Sequence, residues 1–150
     1  MTSTRDLISN FLASVRQGIV NDLKSKKISD GDLGMKHTAE ETSGVLTGYG
    51  YYYYLVHGRA PGKQPPVEAM LSWIQKRGIQ PTDISQKSLA YLVARKIARE
   101  GTDIYTGKRP GLALKDILKE RNEQFSQELR EKYREDIKES IGTSLKQIFT

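Results

Sequence analysis

The stretch MTSTRDLISNFLASVRQGIVNDL, residues 1–23, sets Leu7, Ile8, Phe11, Leu12, Val15, Ile19 and Leu23 three or four positions apart. Such spacing returns apolar side chains to one side of a 3.6-residue helix, so it predicts a helix of about 20 residues with one buried face. Ser3 or Thr4 stands where an N-cap belongs. The helix runs into LKSKKISDGDLG, residues 23–34, whose cations suit the negative end of the helix dipole and whose Asp/Gly cluster marks a turn. From Leu33 to Tyr49 the period changes: Met35 and His37 alternate, Ser43-Gly44 reads as a turn, and Val45-Leu46-Thr47 follows. This predicts a two-stranded antiparallel hairpin.

Beyond the tyrosine run YGYYYYLVHGR, residues 49–59, the chain passes APGKQPP and enters VEAMLSWIQKRG. Pro65-Pro66 predicts an extended lead with a proline at the first helical position, and Gly78 a C-cap. Val67, Met70, Leu71, Trp73 and Ile74 share one side of this helix, with Trp73 read as a core anchor. After IQPTDI, Ser85 caps a second helix, QKSLAYLVARKIARE, closed by Gly101. Leu89, Ala90, Val93, Ala94 and Ile97 form its apolar stripe; Ser88, Arg95 and Arg99 stack opposite, with Lys96 at the margin.

From about Leu112 the chain predicts one long helix in which Phe125, Leu129, Tyr133, Ile137, Ile141 and Leu145 recur at every fourth position. Each such step drifts about 40° around a 3.6-residue helix, and five steps turn the stripe by about 200°. One core cannot receive all six. Either the helix breaks near Ser140-Ile141-Gly142, or its distal part is buried against something else, such as a neighbouring subunit.

The chain has 150 residues, 24 Lys+Arg against 18 Asp+Glu, and no cysteine. That length suits one domain. A disulfide framework, a thiol nucleophile and a thiolate metal site are excluded. No apolar run approaches the roughly 20 residues that span a bilayer, and Asp6 interrupts the place where a signal peptide needs its apolar core, so the expectation is a soluble protein with its start intact. The net charge of +6 lies wholly in residues 59–109, with 10 basic and 4 acidic side chains, between two neutral segments.

Catalytic constellations are hard to find. His37 and His57 lack the spacing of a metal site. Gly44, Gly48 and Gly50 have neither a Walker lysine nor a completing motif, so they read as turn glycines. The carboxylates of 116–139 alternate with Lys and Arg at i,i+4, the pattern of a solvated helix face. Tyr49 and Tyr51 to Tyr54 point in too many directions for a stacking platform and fit amphipathic interface contacts better.

Residues 49–101 also carry an ordered set: Tyr54-Leu55-x-x-Gly58-Arg59, Pro61-Gly62, Pro65-Pro66, Trp73-Ile74-x-x-Arg77-Gly78-Ile79, and Ser88-Leu89-Ala90 running to Ala94-Arg95-Lys96-Ile97-Ala98-Arg99-Glu100-Gly101. The set resembles the tail-completion or head-tail joining proteins of tailed bacteriophages. In that family a helix reading roughly Y-x-x-Y-h-E-x-G precedes a proline-rich loop, a W-I helix ending in K-G and a helix ending I-A-R-x-G, all after an N-terminal helix and a small sheet. The close match covers about a third of the chain, and the order of elements covers the rest. Val56-His57 occupies the place of the family's usual acidic residue, and KRPGLALKD lacks the aromatic expected there.

The fold expected is α+β, mainly α: a long N-terminal helix, a small antiparallel sheet or hairpin, two central helices and a long C-terminal helix. It forms a single domain over 1–150 with a helical extension over about 112–150. The resemblance implies a structural virion protein without catalytic activity or cofactor. It would form a ring of six or twelve copies at the neck or tail top, beside portal, adaptor and tail proteins, and let genomic DNA pass through its lumen. Its place would be the virion, assembled in the host cytoplasm, with no membrane and no small-molecule substrate. For the subunit interface we single out Tyr52, Tyr53, Tyr54, Arg59, Pro65, Tyr133, Ile137, Ile141 and Leu145. For a basic docking surface we single out Lys76, Arg77, Arg95, Lys96, Arg99, Lys108 and Arg109. Solvation, pairing with the acidic C-terminal helix of the same chain, contact with an acidic neighbouring ring and phosphate contact with DNA are the readings of Arg95, Lys96 and Arg99. The alternative function, from another class, is a small basic DNA-binding or regulatory module.

Overall fold

A computed structural model describes residues 2–28, 34–48 and 52–150. Among them the chain is mainly helical with one small antiparallel sheet, as the α+β reading expects. It divides into two compact units, residues 1–50 with 113–150, and residues 51–112. Length leads to the expectation of a single domain; the contacts divide the chain into two units, one inserted in sequence between the two parts of the other. All of the net positive charge falls in the inserted unit, and the discontinuous one is neutral.

In the discontinuous unit, α1 (Thr4–Ser25) begins at a full capping box. The Ser3 hydroxyl accepts the Asp6 N–H at 3.1 Å, and the Asp6 carboxylate accepts the Ser3 N–H at 3.1 Å and the Ser3 hydroxyl at 2.7 Å. Six residues of the apolar stripe are buried: Leu7, Ile8, Leu12, Val15, Ile19 and Leu23. Phe11 at the stripe's edge is half-buried and meets Phe125 with ring centroids 4.8 Å apart. The helix closes through Lys27, at φ 55°, and an Ile28 N–H to Leu23 carbonyl bond of 2.9 Å. The Asp/Gly turn expected next falls on 29–33, outside the described residues.

Strands β1 (Lys36–Ala39) and β2 (Gly44–Thr47) pair with Lys36 opposite Thr47 and Ala39 opposite Gly44. Gly44, expected in the turn, opens β2 instead. A Cβ there would come within 2.5 Å of Ile8 Cγ2 and 2.8 Å of Leu12 Cδ1, so glycine lets the strand lie directly on α1.

α5 (Leu114–Ile148) is a single helix of 35 residues with no break at 140–142. It runs antiparallel to α1. The Asp22 carboxylate near the end of α1 accepts the Ala113 N–H at 3.0 Å, and Phe11 meets Phe125. Lys132 and Tyr133 lie beside Ser3 and Arg5. Ala113 has no side chain to cap α5, so Asp22 supplies the anion that the helix start lacks.

The inserted unit holds α2 (Tyr52–His57), α3 (Val67–Lys76) and α4 (Gln86–Glu100). α3 begins one residue later than expected, with Pro66 as its N-cap. α4 has the expected bounds: the Ser85 hydroxyl accepts the Ser88 N–H at 3.1 Å, and Gly101, at φ 81°, closes the helix. Ile74 of α3 and Ala90 and Ala94 of α4 are fully buried where the two helices pack. Trp73 corrects the expectation of a core anchor: it stays 43% exposed, with the Arg77 guanidinium 5.9 Å from its ring centre. The step from Trp73 to Ile74 turns the helix by about 100°, and Ile74 takes the inward direction. The strap after α4 returns along α2 through an Arg59 N–H to Thr102 hydroxyl bond of 2.9 Å and a Leu112 N–H to Leu55 carbonyl bond of 2.7 Å.

Candidate interaction surfaces

α5 carries the first surface. α1 is about 33 Å long and α5 about 52 Å, by their residue counts. Because Tyr133 lies level with the start of α1, the turns from 134 to 148 extend about 22 Å past it. The drift of the four-residue spacing turns the same stretch away from α1. At 100° per residue, Ile141 points about 160° from Phe125. Both effects leave apolar residues bare: Tyr133, Ile137, Ile141 and Leu145 are all about half exposed, and Ile148 and Phe149 reach 73% and 84%. Of the two outcomes the spacing allows, the helix does not break, and its tip has no cover within its own unit.

The predicted interface residues of the inserted unit divide. Tyr53 and Tyr54 are exposed and meet edge-on with centroids 5.8 Å apart, and Tyr53 lies 4.7 Å from the His57 ring. Tyr52 is half-buried. Arg59 is half-buried, its guanidinium donating to the Lys63 carbonyl at 2.9 Å. Pro65 is buried, which corrects the expectation of an exposed interface residue. Tyr49 and Tyr51 lie outside the described residues.

Of the basic residues, α4 groups three. Arg95, Lys96 and Arg99 are exposed on the side opposite Ala90 and Ala94. None of them makes an ion pair with a described residue of the inserted unit. Leu92 falls opposite the alanines on a helical wheel and Tyr91 at the flank beside Arg95; both are 49% exposed, and the residue reading missed them. Lys76 and Arg77 end α3, and Lys108 and Arg109 sit in the strap, so the seven cations do not share one element.

Chemistry has little to start from. Among the described residues, no group of three or more His, Cys, Asp or Glu side chains could hold a metal. His37 lies 3.3 Å from the Ser9 hydroxyl. The Asp6 carboxyl is held below its ordinary range, first by the Ser3 hydroxyl and then by the Ser3 backbone N–H, which belongs to capping. An open depression of about 740 Å³ beside the start of α1 brings Arg5, Glu40, Glu41 and Lys132 around it. No helix among the described residues is long and apolar enough to cross a membrane. Comparison with protein-family models, curated proteins and solved structures finds no match to this chain.

Proposed function

We propose that this protein is a structural subunit of the neck or tail top of a tailed bacteriophage. Copies form a ring that joins the head to the tail and lets DNA through its lumen, with no catalytic step and no cofactor. Assembly takes place in the host cytoplasm, and the mature location is the virion, beside portal, adaptor and tail proteins.

The observation that carries the reading is that apolar side chains stay uncovered on both units of the chain: the α5 tip, and, in the inserted unit, Tyr53 and Tyr54 on α2 and Tyr91 and Leu92 on α4. Monomeric proteins rarely expose contiguous patches of this kind. A ring subunit needs two different contact surfaces, because head-to-tail association buries unlike faces. The ordered motifs of residues 49–101 add the family resemblance. Density for the chain in an intact particle tests it. Finding the chain absent from particles would overturn it.

A second reading, a DNA-binding module, draws support from the exposed trio Arg95, Lys96 and Arg99. Tyr91 and Leu92 among these cations favour a protein partner with acidic and apolar groups over a phosphate backbone. Affinity for duplex DNA that falls steeply with salt would favour the second reading.

A further inference from the structure

We infer that the exposed cationic face of α4 in one copy of this chain packs, antiparallel, on the acidic face of α5 in the next copy. The inference deepens the ring reading above and rests on it for its setting. Both faces advance by the same steps. On α4, Ser88, Leu92, Arg95 and Arg99 are four, three and four positions apart, all exposed, and fall within about 60° of one another around the helix. On α5, Glu135, Glu139, Gly142 and Lys146 advance by the same steps and also fall within about 60°. Each row is about 16 Å long. The α5 row lies wholly in the turns that extend past α1, and Glu135, Glu139 and Lys146 are exposed there.

Charge selects the occupant. Arg95 and Arg99 stand at i,i+4 on one helix, and Glu131, Glu135 and Glu139 at i,i+4 on the other, so each row repels itself. Glu135 and Glu139 make no ion pair with a described residue, and Arg95 and Arg99 make none within their own unit. Laid against each other, the two rows neutralise. Their order also sets the direction. Antiparallel packing puts Arg99 on Glu135, Arg95 on Glu139, Leu92 on Gly142 and Ser88 on Lys146. Parallel packing of the same rows puts Arg99 on Lys146 and Leu92 on Glu139, and sliding the antiparallel pair by one turn puts Leu92 on Lys138.

Gly142 supplies the apolar part of the seat. A Cβ there would meet nothing within 4 Å, so the packing of the single chain does not call for glycine, which destabilises a helix interior relative to alanine. Between Glu139 and Lys146 it leaves bare backbone on which Leu92 can lie. In the antiparallel arrangement Tyr91 and Leu145, each about half exposed, flank the same edge of that contact. Every copy carries one face of each kind, on different units of the chain, so the contact is head-to-tail and repeats until a ring closes.

The chain lacks cysteine, so a disulfide between two single variants reports one contact. Leu92→Cys mixed with Gly142→Cys, as full chains under mild oxidation, should give a mixed disulfide, while each variant alone stays uncrosslinked. Pairing of α4 with α5 inside one chain cannot produce that product, and its absence overturns the contact. Arg95→Glu with Arg99→Glu, and Glu135→Arg with Glu139→Arg, should each weaken self-association ~10-fold or more in sedimentation velocity, with unchanged circular dichroism spectra. An equimolar mixture of the two double variants should restore association, because every contact in it again opposes unlike charges. A mixture that stays apart overturns the inference. Duplex DNA binding that is lost with Arg95→Glu and Arg99→Glu, without the mixed disulfide, gives this face to phosphate instead and also overturns it. Particles that assemble normally from the Arg95→Glu, Arg99→Glu variant overturn this contact and leave the connector reading intact. A mixed disulfide and restored association in a chain absent from particles sustain the contact and overturn the connector reading.

Discussion

Two isoleucines of the discontinuous unit allow one chemical deletion to be made in opposite surroundings. Ile19 in α1 is 3% exposed and Ile141 in α5 is 55% exposed. Ile→Ala removes three carbons, about 2.4 kcal/mol of transfer free energy when the side chain is fully buried, and the cavity raises the cost of Ile19→Ala to about 3–4 kcal/mol. At Ile141 less than half the side chain leaves water, and alanine's better helix propensity returns a few tenths, so Ile141→Ala costs about 0.5–1 kcal/mol. Urea titration at about 1 μM, followed by circular dichroism at 222 nm, reads both. Ile19→Ala should lower the midpoint by about 1–3 M, and Ile141→Ala should lower it far less. A loss of 2 kcal/mol or more from Ile141→Ala at the low concentration would mean that the tip is covered within its own chain, and the surface assigned to it would be wrong.

Ser3→Ala should return the Asp6 carboxyl toward the ordinary range, followed by NMR titration of its carboxyl carbon. In the wild type this cap's contribution is present above the unfolded pKa and is lost as pH falls through the lowered folded value, so it weakens below about pH 4. Asp22→Ala removes the acceptor of the Ala113 N–H and should cost about 1–2 kcal/mol in urea unfolding, with Asp22→Asn recovering most of it by keeping an oxygen. Gly58→Ala should cost more than about 2 kcal/mol, because φ is 74° and a Cβ there would overlap the Tyr105 backbone N; Trp73 fluorescence reads the inserted unit. Replacing Arg95, Lys96 and Arg99 by Gln should leave stability within about 0.5 kcal/mol while impairing the joining of heads to tails, and normal particle yield would return these charges to solvation.

Much of the fold was legible because the signals are local. The Ser3 and Ser85 caps, the Gly101 stop, the hairpin and the length of α5 each depend on residues within a turn or two of one another. The misreadings share a different cause. Trp73 and Ile74 both lie on the apolar side of α3, and only the position of α4 decides which points inward. Gly44 read as a turn because glycine in a strand is understood only once Ile8 and Leu12 lie beneath it. The exposed apolar pair on α4 was hidden by its neighbouring cations, which drew the reading toward charge alone.

Spacing along the chain was enough to establish that α5 is helical and that its stripe rotates too far for one core, since both follow from 3.6 residues per turn. Sequence position likewise placed the positive charge between residues 59 and 109. Tertiary structure decided which part of the stripe is covered, because burial depends on where the partner helix stops, and α1 starts level with Tyr133. It also decided that the charged segment folds as its own unit, and that Asp22, 91 residues away, caps the start of α5. A helix encodes its own periodicity; what lies against each side is set by chain that is remote in sequence and adjacent only after folding.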